Sequence, residues 1–139
     1  MKLPADVVAA VRAAKVIAVV GLSSHPVRPS FGVARYLQGQ GYRILPVNPN
    51  ETTVLGEAAY ADLDRAAAAA PVDIVDVFRR SEYVPEVAAA AIRIGAKMLW
   101  LQEGVSHPEA EAQARAAGLL VVADHCLLKE HARLRGGGN

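Results

Sequence analysis

The stretch VIAVVGLSSHPVRPSFGVARYL, Val16 to Leu37, decides the fold. It opens with small or β-branched apolar residues that run into Gly21 without polar alternation, the mark of a strand buried on both faces. A loop of glycine, serine and proline follows. From Pro29 or Ser30 onward the pattern turns helical, so the stretch reads as the first crossing of a βαβ unit. Four further apolar runs repeat the theme: Tyr42 to Val47, Val72 to Phe78, Lys97 to Leu101 and Leu119 to Ala123. Their starts lie about 22 to 30 residues apart, room for one right-handed crossover helix and two loops. Alanine-rich segments between the runs supply those helices. The expected architecture is α/β: a three-layer, Rossmann-like, doubly wound domain over residues 1–139 with a five-stranded, mainly parallel sheet. If the chain follows a dinucleotide-binding half, the runs lie in the order 3-2-1-4-5 across the sheet. Val19, Val20, Ile44, Ile74, Val75, Leu99 and Val121 are the core choices. Pro46 sits inside the second run and lacks a ladder donor, which predicts that this strand ends or bulges there.

Composition bounds the rest. A length of 139 residues suits one hydrophobic core, and 53% apolar against 21% charged residues excludes a disordered chain. Aromatics are only 5%, so the core is aliphatic. Fifteen Lys and Arg against fourteen Asp and Glu leave a net +1, too little for a broad cationic field along a nucleic acid. Cys126 stands alone, which excludes an intrachain disulfide and a multi-thiolate zinc site. Charges interrupt the apolar residues of MKLPADVVAAVRAAK, and no apolar run reaches the roughly 18 to 20 residues of a membrane span. The expected setting is soluble and cytoplasmic.

Helix punctuation agrees with the alternation. Val7, Val8 and Val11 share one face of a first helix, and Ser106 with Glu109 fits a capping box. Gly95 and Gly118 fall where left-handed helix caps are wanted, just before the fourth and fifth runs. A last helix is expected from near His125 to Leu134, ahead of a glycine-rich tail, residues 136–139, with too little side chain to order itself.

An open parallel sheet binds ligands at the carboxyl ends of its strands, so the residues after each run carry the chemistry. After the first run, Gly21 to Gly32 can offer backbone N–H groups and the Ser23, Ser24 and Ser30 hydroxyls to an anion, with the following helix adding its positive end. A phosphate fits such a loop. It has no Lys-Ser/Thr pair of a nucleotide-triphosphate loop, and Gly21-Leu22-Ser23 replaces the Gly-x-Gly of the nicotinamide fingerprint. Asn48 stands where a dinucleotide fold places an acid on the ribose, and Glu51 follows three residues later, which weakens plain NAD binding. The third run ends in Phe78, Arg79 and Arg80, able to stack on a base or grip a phosphate. The fourth ends in Trp100, a packing residue, then Leu101, Gln102, Glu103 and Gly104, with Gln102 and Glu103 placed to hydrogen-bond in the cleft.

These motifs together, GLSSHPVRPSFGVARYL, VNPN, VDVFRR, WLQEGV and DHCLLKEH, resemble the small single-domain coenzyme A-binding proteins related to the amino-terminal domain of the succinyl-CoA synthetase α subunit. The resemblance covers essentially the whole chain, with the motifs in order at strand ends. It implies a coenzyme A ligand whose phosphates and adenosine lie along the first loop, with Gly21, Ser23, Ser24, Arg28, Ser30 and Phe31 as candidates. It implies that Asn48, Pro49 and Asn50 line the next edge. The pantetheine arm would then pass Val77, Phe78, Arg79, Gln102, Glu103 and Gly104. Coenzyme A needs anion donors at one end of a groove and apolar walls at the other, which the strand ends can supply.

The synthetase relays phosphate through a histidine of a second domain, so its catalytic machinery does not carry over. His25 lies in the loop, His107 at a helix start, and His125 and His131 are six residues apart, off one helical face. No metal is assigned. Cys126 beside Asp124 and His125 invites a nucleophile, although a lone thiol at a strand end is more often a small buried residue. The expectation is a coenzyme A or acyl-CoA binding module without turnover of its own, open to a protein partner or homo-oligomer. The alternatives are an enzyme or subunit in acyl-CoA chemistry and an NAD(H)-binding regulator on the same fold.

Overall fold

A computed structural model of the chain describes residues 2–136. Its strands and helices alternate: α1 (Ala5–Ala13), β1 (Val16–Val20), α2 (Pro29–Gly39), β2 (Arg43–Val47), β3 (Thr53–Val54), β4 (Glu57–Ala58), α3 (Leu63–Ala69), β5 (Ile74–Val77), α4 (Val84–Arg93), β6 (Met98–Leu101), α5 (Pro108–Ala116), β7 (Leu120–Val122) and α6 (Leu127–Arg135). A 3₁₀ turn, Ser81–Tyr83, leads into α4. The five strands predicted from the apolar runs form one parallel sheet. No helix among the described residues is long and apolar enough to cross a membrane. Of the glycine-rich tail, residues 137–139 lie outside the described residues, and Gly136 closes α6.

Sheet order corrects one expectation. The strands run β2-β1-β5-β6-β7, which in terms of the five apolar runs is 2-1-3-4-5 and not 3-2-1-4-5. The physical reason lies in the crossovers. Helix α2 packs on the sheet face of Ile17, Val19 and Ile44, whereas α3 packs on the opposite face, with Ala18, Val20 and Leu45. Right-handed crossovers on opposite faces run in opposite directions, so β5 passes to the far side of β1. The outer edge of β2 is meanwhile covered: the short antiparallel β3–β4 hairpin lies beside it, and Tyr60 N–H donates to the Pro46 carbonyl at 2.9 Å.

That geometry also corrects the reading of Pro46. The strand continues through it to Val47. Its carbonyl points outward to Tyr60, so its missing N–H points outward too, and the ladder to β1 loses nothing.

Both faces of the sheet are buried. On one, α3, α4 and α5 cover Val20, Val47, Val75, Val77, Leu99 and Leu101. On the other, α1, α2 and α6 cover Ile17, Val19, Ile74, Met98 and Trp100. Every predicted core residue is buried, and Trp100 is fully so. Helices α4 and α5 end at Gly95 and Gly118 with φ of 73° and 97°. Ala96 and Leu119 N–H then close back on the Ala91 and Ala114 carbonyls, as the predicted caps require. The cap of α5 sits one residue later than expected, at His107, and its acid two later, at Glu111. Pro108 takes the first helical position, for which its fixed φ is suited, and this makes His107 the cap. His107 Nδ1 accepts from Ala110 N–H and Glu111 accepts from His107 N–H, while Ser106 N–H donates to Ser81 Oγ. Helix α6 likewise starts at Leu127, because Asp124 adopts φ 60° and Cys126 occupies the cap position.

Candidate functional site

Strand order reverses at β1, whose neighbours β2 and β5 are reached in opposite directions, so the carboxyl ends of β1 and β5 frame the crevice of the sheet. Two open clefts meet there. One, about 780 Å³, runs past Asn48, Pro49 and Asn50 toward α3 and α4, with Asp64, Tyr83 and Arg93 on its far wall. The other, about 680 Å³, runs under the first loop past Ser23, Arg28 and Ser30 to Gln102, Glu103, Gly104 and Cys126. Gly21, Asn48, Phe78, Arg79 and Arg80 border both, forming a ridge between them. Each volume falls in the range of small-molecule sites.

The ridge depends on close backbone contact. Gly21 has φ 87°, and a Cβ there would lie 2.4 Å from the Phe78 carbonyl oxygen. Gly21 N–H donates to the Val47 carbonyl and Phe78 N–H to Val20, which ties the three strand ends together. Asn48 locks the corner: its Nδ2 donates to the Leu22 carbonyl and its Oδ1 accepts from Asn50 N–H.

The first loop is internally braced. Ser23 N–H donates to the buried Ser30 Oγ, His25 N–H to Ser23 Oγ, and Ser24 N–H to Glu51 at 2.8 Å. The Ser24 N–H holds the Glu51 carboxyl below its ordinary pKa. Glu51 thereby braces the loop. Helix α2 has no side-chain cap at Arg28; Arg28 N–H donates to the His25 carbonyl, Phe31 N–H to the Arg28 carbonyl and Pro29 has no N–H, which leaves Ser30 N–H as the first-turn donor beside the positive end of the helix dipole at the cleft. Arg28 is exposed and makes no ion pair among the described residues.

The other candidates divide. Arg79 lies 4.0 Å over the Tyr83 ring and 3.5 Å from Glu86, and Arg80 pairs with Glu82 at 3.4 Å, so both are steered by the turn before α4. Glu103 is exposed and paired with Lys129 at 3.1 Å. Gly104 N–H donates to Asp124 at 2.7 Å. Val77 is fully buried among α3, α4 and α5; like Phe31 and Ser24 it borders neither cleft. Cys126 is buried at the second cleft. Asp124 is committed to Gly104 and His125 lies 3.9 Å from Glu130, with no hydrogen bond from either to the thiol among the described residues. His131 packs edge-on between Tyr36 and Tyr42, under α2 and remote from the clefts.

Sequence reasoning missed Asp76. By strand alternation it shares the face of Ile74, between Val19 of β1 and Trp100 of β6, and it is 0% exposed. Gln102 Nε2 donates to its Oδ1 at 2.5 Å, and its Oδ2 has no partner. Burial pushes its pKa up to about 7 against the lowering effect of the Gln102 hydrogen bond. The available signal was an acid inside the run VDIVDVF. The neighbouring Asp73 has a plain structural task at the other end of the strand, accepting the Lys15 and Val16 N–H groups.

Comparisons with known proteins bear on this geometry. A family model described as a CoA binding domain matches residues 15–132. The uncharacterised protein YneT of Bacillus subtilis (strain 168) is 42% identical over 118 residues, covering 85% of this chain and 86% of that protein. A solved Thermus thermophilus structure, cell-free ID.343, superposes with a TM-score of 0.87 at 43% identity, over 93% of this chain and 96% of that one. A dinucleotide-forming acetyl-coenzyme A synthetase 1 from Ca. Korarchaeum cryptofilum gives a TM-score of 0.68 at 22% identity, over 78% of this chain and 25% of that one, which shows a shared fold.

Proposed function

The chain belongs to the CoA-binding domain family, and on that premise we propose that it is a coenzyme A or acyl-CoA binding module without catalytic machinery of its own. The observation that carries this reading is the pair of clefts joined across the Gly21–Phe78 ridge, with the start of α2 and Arg28, which has no ion pair among the described residues, at one wall. Coenzyme A is a long ligand with a highly charged middle. Its phosphates suit the positive end of α2, with Ser30 N–H and the Arg28 guanidinium, its adenosine the cleft beside Asn48 to Asn50, and its arm the cleft toward Gln102. Phe78, half-buried at the ridge, gives the arm an apolar wall. Of the groups that could run acyl chemistry, Glu103 pairs with Lys129 and Asp124 accepts from Gly104 N–H, and neither Asp124 nor His125 hydrogen-bonds the Cys126 thiol among the described residues. That favours binding over turnover.

Calorimetry with coenzyme A, dephospho-CoA and NAD tests the proposal. Coenzyme A should bind most tightly, and Arg28→Ala should weaken it by about 1 to 3 kcal/mol, the range for a charge-assisted hydrogen bond, with little change in folding stability. NAD binding as tightly as coenzyme A, or better, would replace this reading with a nicotinamide-dinucleotide regulator.

A further inference from the structure

Among the buried carboxyls of the described residues, Glu111 caps α5 and Glu130 pairs with Arg133, but Asp76 has no such task. It occupies a strand position flanked by Val19 and Trp100, where an aliphatic side chain would pack without cost, and it contacts no cation. Its one hydrogen bond goes to Gln102, which is only 4% exposed and yet borders the second cleft. The Gln102 Oε1 takes no hydrogen bond from any described residue, and it is not among the polar atoms sealed inside the protein. We infer that Asp76 is a positioning residue: by accepting the Nε2 hydrogen it turns the Gln102 amide so that Oε1 faces the cleft, where it accepts from a hydrogen-bond donor on the ligand.

A glutamine alone shows a cleft its N–H or its C=O with equal ease. A carboxylate beneath it removes the choice, because an ionised acid only accepts. The inference rests on the coenzyme A reading, which names the donor class: the pantetheine arm carries amide N–H groups and ends in a thiol. Asparagine at position 76 breaks the device without removing the hydrogen bond, since its side chain either accepts from Nε2 or donates to Oε1.

The test is calorimetry at pH 8 with coenzyme A and with adenosine 3′,5′-bisphosphate, which lacks the arm. Asp76→Asn and Gln102→Leu should each weaken coenzyme A about tenfold, the scale of one lost hydrogen bond, while adenosine 3′,5′-bisphosphate stays within about twofold. The double variant should be no worse than the worse single, because both changes remove the same contact. Unchanged coenzyme A affinity in Asp76→Asn, or an equal loss for both ligands, would overturn the inference while leaving coenzyme A binding intact. Wild-type protein that binds neither ligand, or binds both equally, would overturn the coenzyme reading and this inference with it.

Discussion

Replacing Asp76 with asparagine should stabilise the protein by about 4 kcal/mol at pH 8 and change it little near pH 3. The folded pKa is raised from 3.8 to about 7, so between those values the folded state holds a proton that the unfolded chain has released. Stability then falls as pH rises, by about 1.4 kcal/mol per unit across roughly three units, and the full cost is present above pH 7. Below the unfolded pKa both states are protonated and the cost is absent. Asparagine does not titrate, so the difference between variant and wild type isolates this one group from every other ionisation. Urea unfolding at pH 3, 5, 7 and 8 checks it. A difference that is flat with pH, or one that shrinks as pH rises, would show that Asp76 is not held in the environment described.

Gly21→Ala should destabilise by about 2 to 5 kcal/mol and lower coenzyme A affinity by more than tenfold. Two costs add. The left-handed backbone disfavours a side chain by about 1 to 2 kcal/mol, and overpacking against a backbone atom costs about 1 to 3 more. At 2.4 Å the new methyl carbon meets the Phe78 carbonyl, which belongs to the strand end and cannot rotate aside as a flexible side chain would. Relief requires moving Phe78, Arg79 and Arg80, the ridge both clefts share. Gly32→Ala is the matched control: it lies within α2, its Cβ would meet nothing within 4 Å, and it should be neutral or stabilising by up to about 1 kcal/mol. Equal behaviour of the two variants in urea unfolding would remove the close-approach argument.

These effects show what was legible in the sequence. Buried parallel strands are continuous apolar runs, so the five strands and their helices could be read directly, as could the loops at their carboxyl ends. Strand order could not. Runs spaced alike are compatible with either order, and the choice depends on which face α3 takes, a matter of tertiary packing. The β3–β4 hairpin, two residues per strand, is too short to carry a periodic pattern. Pro46 looked like a strand breaker because its orientation is set by the neighbour on the outer edge, Tyr60, fourteen residues on.

The site divides the same way. Backbone-based features, such as Gly21 at the turn and the start of α2 at Pro29, follow from local residue types. Side-chain commitments do not, because the partner comes from another element: Tyr83 and Glu86 for Arg79, Lys129 for Glu103, Gln102 for Asp76. Asp76 was hidden for that reason. An acid in an apolar run is unremarkable until sheet register puts it between Val19 and Trp100.

Native mass spectrometry of the protein purified without added ligand, and again after adding coenzyme A and NAD in equal excess, tests the central claim most directly. The account predicts a single adduct with the mass of coenzyme A or an acyl-CoA, present from the start or formed on addition and retained in competition with NAD. A spectrum that stays at the bare chain mass in excess coenzyme A, or that takes up NAD in its place, would contradict it.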